Sequence, residues 1–300
     1  MRLTAAPKAD DVRPLPVLRK SLAHVKAHYI QYEDFDFANE QLKSIRQDIT
    51  VQHLQNNFVL EVYETHSRIL LENGDLNEFN QCQTMIKSLT SSEHPTSASE
   101  RTLGGHQHNR YFGSSKRHTK GSDILVQCEE TADEFRAYNL LYDLVQNSWC
   151  DLKVHIGSTR IGVEIANQAQ DPKTSKRSNR IPLITRGSSV FHALSVVKAI
   201  IDDDYLAFFR LYESAPHMSA YLMDFLVRRV RNVAYTRIIS AFRPTISTEY
   251  FREALAFRDL EETRQFLIDK GAVFLNDNDG DPLFWIDCKA TYAVYLHRTK

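Results

Sequence analysis

The chain is short of glycine, with 10 in 300 residues. A β-barrel, a propeller or a Gly-rich nucleotide-binding fold draws on many more turns of positive φ. Cysteine is scarce as well: Cys82, Cys128, Cys150 and Cys288 are scattered and form no C-x-x-C pair. Disulfide scaffolds and zinc ribbons cluster their thiols, so neither is expected, and the thiols read as reduced and intracellular. No run approaches the ~18 apolar residues of a membrane span. The start, Met1 to Pro7, has no apolar core of a secretory leader. Net charge is nearly absent too: 37 Lys and Arg against 38 Asp and Glu give -1. That excludes a uniformly basic surface and a disordered polyelectrolyte, but leaves local charge open.

What is present is helical periodicity. Pro14 and Pro16 open a stretch with Leu18, Leu22, Val25 and Tyr29 at three-and-four spacing. A second stretch covers about Phe35 to Asp48, with Ala38, Leu42 and Ile45. A third covers about Asn57 to Leu71 and stops at Asn73-Gly74, which suits a left-handed cap. Asp75 then caps a fourth helix carrying Phe79, Cys82 and Ile86. Helical pattern returns over Thr131 to Val145, while Asn147 to Gly157 stays ambiguous. Ser188 or Ser189 caps a helix over Val190 to Ile201, and Tyr205 to Tyr212 follows an acidic turn. The aromatics Tyr63, Phe79, Phe135, Tyr138, Phe208, Phe209 and Tyr212 fall at helical spacing and read as core.

One echo stands out. Leu70 to Asp75 leads into Phe79, and Ile200 to Asp204 leads into Phe208. Each is a helix, a polar turn and a helix with an aromatic anchor, the unit of a helical-hairpin solenoid. Two segments break the pattern. About 91–130 reads as a flexible basic insertion: Arg101 to Lys120 holds five Lys or Arg and no acid. About 171–187 is a second basic loop, with Lys173, Lys176, Arg177, Arg180 and Arg186 against Asp171.

The last third differs. Ser219 to Phe242 is one long helix ended by Pro244. Ser247 and Asp259 start two shorter helices, and Gly271 stops the second. Ala272 to Leu275 and Leu283 to Ile286 are apolar runs around the turn-rich Asn276 to Asp281. Three helices and a hairpin are the order of a winged helix. The expected fold is therefore mainly α. A flexible 1–12 precedes a helical-hairpin (TPR-like) solenoid over 13–218, and a winged helix over 219–300 closes it.

The strings Arg13 to Leu22, Gln41 to Gln52, Glu61 to His66, Gly74 to Lys87 and Glu134 to Tyr138 resemble the Sac/GANP family of PCI-domain proteins. Within it their wording is closest to the Thp-three and leukocyte-receptor-cluster-member-eight branch. The resemblance runs from about residue 13 to 290, broken at the two basic loops. It implies a non-catalytic scaffold subunit of a nuclear mRNA-biogenesis complex, acting in transcription-coupled processing, splicing or export. It also implies pairing with a second PCI-domain protein, and with a small acidic DSS/SEM-type subunit, directly or through that protein. Winged helices set side by side would then form a platform for RNA or other single-stranded nucleic acid. No cofactor and no membrane partner are expected. The insertion exceeds the family pattern and a long low-complexity N-terminal region is absent, so a minimal form or a fragment is expected.

Arg228, Arg229, Arg231, Arg237 and Arg243 are the candidate phosphate contacts, with no acid between Asp224 and Arg243. Arg228 and Arg231 can share a helix face, while Arg229 points elsewhere, so not all five reach one strand. Asp259, Glu261 and Glu262 at the start of the presumed recognition helix repel phosphates and argue against base-specific reading. Phe274, Phe284 and Trp285 are the candidate partner contacts.

The competing readings are plainer. In one, the strips are solvated faces of a proteasome-lid or translation-initiation PCI subunit that binds no nucleic acid. His106, His108 and His118 lack the spacing of a metal site. A calcium loop centred on Gly280 would put Leu275 and Ile286 at liganding positions, so the motif fails. Asp48, His66 and Ser67 carry no motif that would make them a triad, and no catalysis is expected.

Overall fold

The computed structural model describes residues 12–92, 121–157, 188–275 and 283–298, with side chains at all of these except 91–92, 121–130 and 298. The fold is mainly α and solenoid-like, built from successive helical hairpins. It divides into two compact units, Met1–Ala132 and Asp133–Lys300.

In the first unit α1 (Leu15–Tyr32), α2 (Phe35–Val51), α3 (Asn57–Glu72) and α4 (Leu76–Ser92) pack in order, each on the next. Pro14 opens α1, where a missing N–H costs nothing. Asp34 caps α2 by accepting from the Phe37 amide at 3.0 Å, and Asn56 caps α3 by accepting from Val59 at 3.2 Å. The apolar stripes meet in a core that includes Leu18, Leu42, Ile45, Val62, Leu70 and Phe79, all fully buried.

The second unit takes up α5 (Gly121–Val145) from Asp133 onward, then α6, whose described part is 149–157. α7 (Ser189–Ile201), α8 (Tyr205–Glu213) and α9 (Ser219–Ala241) follow, α7 against α8 and α8 against α9. Ser188 caps α7 through the Phe191 amide at 3.1 Å, and the Asp133 carboxylate accepts from the Ser189 amide at 2.7 Å. The Tyr138 hydroxyl accepts from the Met218 amide at 2.9 Å and donates to Glu134 at 2.7 Å. That ties the start of α9 to α5. Tyr63, Phe79, Phe135, Tyr138, Phe208 and Phe209 are buried, as their spacing implies. Tyr212 is half-buried, with its hydroxyl on Asp224.

The echo is a repeated corner. The Asp75 amide reaches Leu70 O at 3.0 Å and the Gly74 amide reaches Leu71 O at 3.1 Å. The Asp204 amide reaches Ala199 O at 2.8 Å and the Asp203 amide reaches Ile200 O at 3.3 Å. Gly74 and Asp203 are both left-handed, at φ 73° and 53°. Asp75 and Asp204 then cap the next helix, and Phe79 and Phe208 fill the core one turn on. The ambiguous stretch after α5 is a third such corner. Ser148 bonds Asp143 O at 2.9 Å, Asn147 is left-handed at φ 56°, and Leu152 is the buried anchor. Its α5–α6 hairpin is also held by Asp143 on His155 Nδ1 at 2.5 Å.

After α9 come β1 (Thr245–Ser247), α10 (Thr248–Ala254), α11 (Leu260–Lys270), β2 (Trp285–Asp287) and α12 (Cys288–Arg298). β1 and β2 are antiparallel, with Thr245 opposite Asp287, Ile246 opposite Ile286 and Ser247 opposite Trp285. Phe274 bridges Ile286 on the other side, and the Leu275 amide bonds Trp285 O at 2.9 Å. β2 is therefore central. Ile246 and Ile286 point into the core, while Trp285 and Leu275 stand on the opposite, outer face.

Helix occupies both ends of the expected 91–130 insertion: α4 reaches Ser92 and α5 begins at Gly121. The remainder of that segment, with His106, His108 and His118, lies outside the described residues, as do the 171–187 loop and the Asn276 to Asp281 turn.

Candidate nucleic-acid interface

α9 places its arginines around the whole helix, and most of them meet partners distant in sequence. Arg231 is spent on the interior. Its Nε donates to Leu255 O at 3.2 Å, Nη2 to Ala256 O at 2.8 Å and Nη1 to Glu262 Oε1 at 2.9 Å. The guanidinium lies 3.7 Å from the centre of the Phe257 ring. It thus closes the left-handed turn at Ala256, φ 47°, between α10 and α11. Arg237 pairs with Asp203, and Arg229 donates to the Asn147 side chain. Both are therefore tied to the repeated corners. Arg229 also lines a shallow pocket with Asp203, Asp204, Tyr205 and Val233.

Arg228 is exposed and has no partner among the described residues. Arg243 is exposed at the end of α9, where Nη1 donates to Ile239 O at 2.9 Å and Phe242 O at 2.5 Å. Cations suit that end of a helix. The five arginines therefore do not form one strip: Arg228, Arg229 and Arg243 have no carboxylate partner among the described residues, and Arg231 faces inward.

α11 begins with a reciprocal cap. Asp259 accepts from the Glu262 amide at 2.7 Å, and Glu262 accepts from the Arg258 amide at 3.1 Å while holding Arg231. The carboxylates foreseen as repelling phosphate are thus partly engaged in building the turn.

α12 was not singled out in the sequence, yet it carries free positive charge. Residues 288–300 contain no acid, and Lys289 is exposed with no partner among the described residues. The Tyr292 and Tyr295 rings are near parallel, 21° apart with centroids 6.4 Å apart, and Arg243 lies 6.0 Å from the Tyr292 ring. The Cys288 amide bonds Pro244 O at 3.1 Å and joins α12 to the end of α9. Burial pushes the Cys288 thiol up from its ordinary range, against the pull of Arg243. The signal for this surface was the acid-free C-terminal segment with tyrosines three apart.

Of the candidate partner contacts, Trp285 is 38% exposed on the outer sheet face beside Leu275, and Phe284 packs edge-on against it at 5.2 Å. Phe274 is half-buried and belongs to the inner row with Ile246 and Ile286.

The first unit holds a buried polar cluster. Arg46 Nη1 donates to Glu78 Oε1 at 2.6 Å, His66 Nδ1 at 3.1 Å and Cys82 Sγ at 3.1 Å. Since Arg46 can only donate, His66 accepts at Nδ1 and donates from Nε2 to Asn39 Oδ1 at 3.0 Å. Burial, then Arg46 and Lys43, push His66 down to about 3, so it is neutral. Burial pushes the Cys82 thiol up to about 12, which leaves it unreactive. Asp48 instead pairs with Arg13 at 2.5 Å, so Asp48, His66 and Ser67 do not assemble. Among the described residues no three His, Cys, Asp or Glu side chains cluster to hold a metal. No described helix is long and apolar enough to cross a membrane.

A chain of helical hairpins followed by helix, strand, two helices, strand and helix defines the class: a mainly α, solenoid-like protein. Residues 3–274 match the SAC3/GANP family, and the chain belongs to that family. It is 36% identical over 294 residues to the leukocyte receptor cluster member 8 homolog of Xenopus laevis, covering 98% of this chain and 29% of that one. It is 34% identical over 274 residues to a THP3 homolog of Schizosaccharomyces pombe, covering 91% of this chain and 55% of that one. Over 97 residues it is 44% identical to protein THP3 of Saccharomyces cerevisiae, which covers 32% of this chain and 20% of that one. The chain thus spans between a fifth and about half of these relatives.

Proposed function

We propose that the protein is a non-catalytic scaffold in nuclear mRNA biogenesis, acting in transcription-coupled processing, splicing or export. In this reading residues 219–300 are a winged helix. The order α9, β1, α10, α11, the Phe274 bridge and β2 supports it. The outer face with Trp285 and Leu275 supports pairing with a second PCI-domain protein, because exposed aromatics on a rigid sheet make good anchors. A small acidic DSS/SEM-type subunit completes the assembly, held directly or through that protein. RNA binding is non-specific and rests on exposed basic residues, with Arg228 on α9 and Arg243 just beyond its end left to serve it.

The observation that carries the reading is the family match across residues 3–274. Affinity purification of the chain from nuclear extract tests it. A PCI-domain protein, a small acidic subunit and mRNA-processing factors are expected. Proteasome-lid or initiation-factor subunits in their place overturn it. The Trp285→Ser variant is expected to lose the PCI-domain protein while its fold is retained.

A further inference from the structure

We propose that the α12 surface, formed by Arg243, Lys289, Tyr292 and Tyr295, is where the chain holds single-stranded nucleic acid, by stacking bases on the tyrosines. This rests on the RNA-binding part of the function proposed above and gives it a place and a mode. Lys289, Tyr292 and Tyr295 are three apart on α12 and so lie along one side of it. Arg243 reaches the same side from the end of α9, 6.0 Å from the Tyr292 ring.

Charge decides the occupant. Asp287 at the start of α12 is engaged in capping, accepting from the Ala290 amide at 2.9 Å. No carboxylate pairs with Arg243 or Lys289 among the described residues, and none occurs in 288–300. By contrast Arg231 and Arg237 on mid-α9 are both neutralised by acids. Two half-buried rings at 21°, with unpaired cations beside them, match what a flexible strand needs. The rings take base faces whatever the sequence, and the cations take phosphates. A duplex hides its base faces and gains only the charge.

The test is binding of the full chain to a fluorescent single-stranded oligouridine, across a salt series from about 50 to 200 mM. Replacing Tyr292→Leu and Tyr295→Leu together keeps apolar bulk and is expected to weaken binding by roughly ten-fold or more, with the salt slope unchanged. Tyr292→Phe with Tyr295→Phe keeps the rings and is expected to bind as the parent does. Arg243→Gln with Lys289→Gln is expected to reduce the logarithmic salt slope by about 1.4, or about 0.7 per phosphate. Circular dichroism checks that each variant is folded.

If the parent binds and the leucine variant binds equally, the proposal is overturned while RNA binding itself stands. Sensitivity to Arg228→Glu would then place the RNA on mid-α9. If the parent does not bind, the RNA-binding part of the function falls as well. Loss of a co-purifying protein from the leucine variant, with RNA binding intact, makes α12 a protein contact and equally overturns the proposal.

Discussion

The Arg231 guanidinium sits 3.7 Å above the Phe257 ring and donates to the carbonyls of Leu255 and Ala256, the residues leading into that ring. One side chain of α9 thereby holds the turn between the two small helices of the C-terminal region. Lysine cannot reproduce that fork of donors. Arg231→Lys is expected to cost about 2 kcal/mol, from lost hydrogen bonds and ring contact. Arg228→Ala, on the exposed side, should stay within about 0.5 kcal/mol. Both tryptophans, Trp149 and Trp285, lie in the second unit, so their fluorescence during urea unfolding reports the difference. Equal shifts for the two variants would refute the assignment.

His66 makes the first unit sensitive to acid. Its folded pKa is pushed to about 3, below the ordinary 6.5, so the unfolded chain binds the extra proton in between. The stabilisation is fully present above about pH 6.5 and is lost progressively as pH falls towards 3. The loss amounts to a few kcal/mol. His66→Gln can still accept from Arg46 and donate to Asn39, and should flatten the curve over that range. Hydrogen exchange in α2 and α3 at pH 7 and pH 5 would read it, and identical pH profiles would refute the role of His66.

Arg46 and Glu78 are each about five-sixths buried, with side chains 15% and 16% exposed. Removing one partner leaves a buried charge, so Arg46→Ala should destabilise the first unit by about 3 kcal/mol or more. Replacing both, Arg46→Met with Glu78→Gln, should cost less than the single change. A double-mutant cycle followed by far-ultraviolet circular dichroism checks the ordering.

The repeated corners predict matching mutational costs. Gly74→Ala forces a side chain into the left-handed region and should cost about 1 to 2 kcal/mol. Asp75→Ala and Asp204→Ala each remove a cap and should cost about 1 kcal/mol. Melting temperatures of the three variants test this, and a neutral Asp204→Ala would break the parallel between the corners.

The sequence by itself determined the local structure of this protein. Capping residues, apolar spacing and the Asn73-Gly74 stop are interactions within a few residues of one another. The helices from α1 to α4, the caps at Ser188, Ser247 and Asp259, and the α3–α4 and α7–α8 corners were legible for that reason. The α5–α6 corner was not, because Asn147-Ser148 has neither the glycine that marks the α3–α4 corner nor the acidic run Asp202 to Asp204 that marks α7–α8. The tertiary structure decided which charges are available. Asp203 is 34 residues from Arg237, and Glu262 is 31 from Arg231. Periodicity gives the face on which an arginine stands, but not the acid that folding brings opposite it. Folding thus pairs Arg231 and Arg237 of α9 with acids, and leaves Arg243 and Lys289, beside two tyrosines of α12, with no acid partner among the described residues.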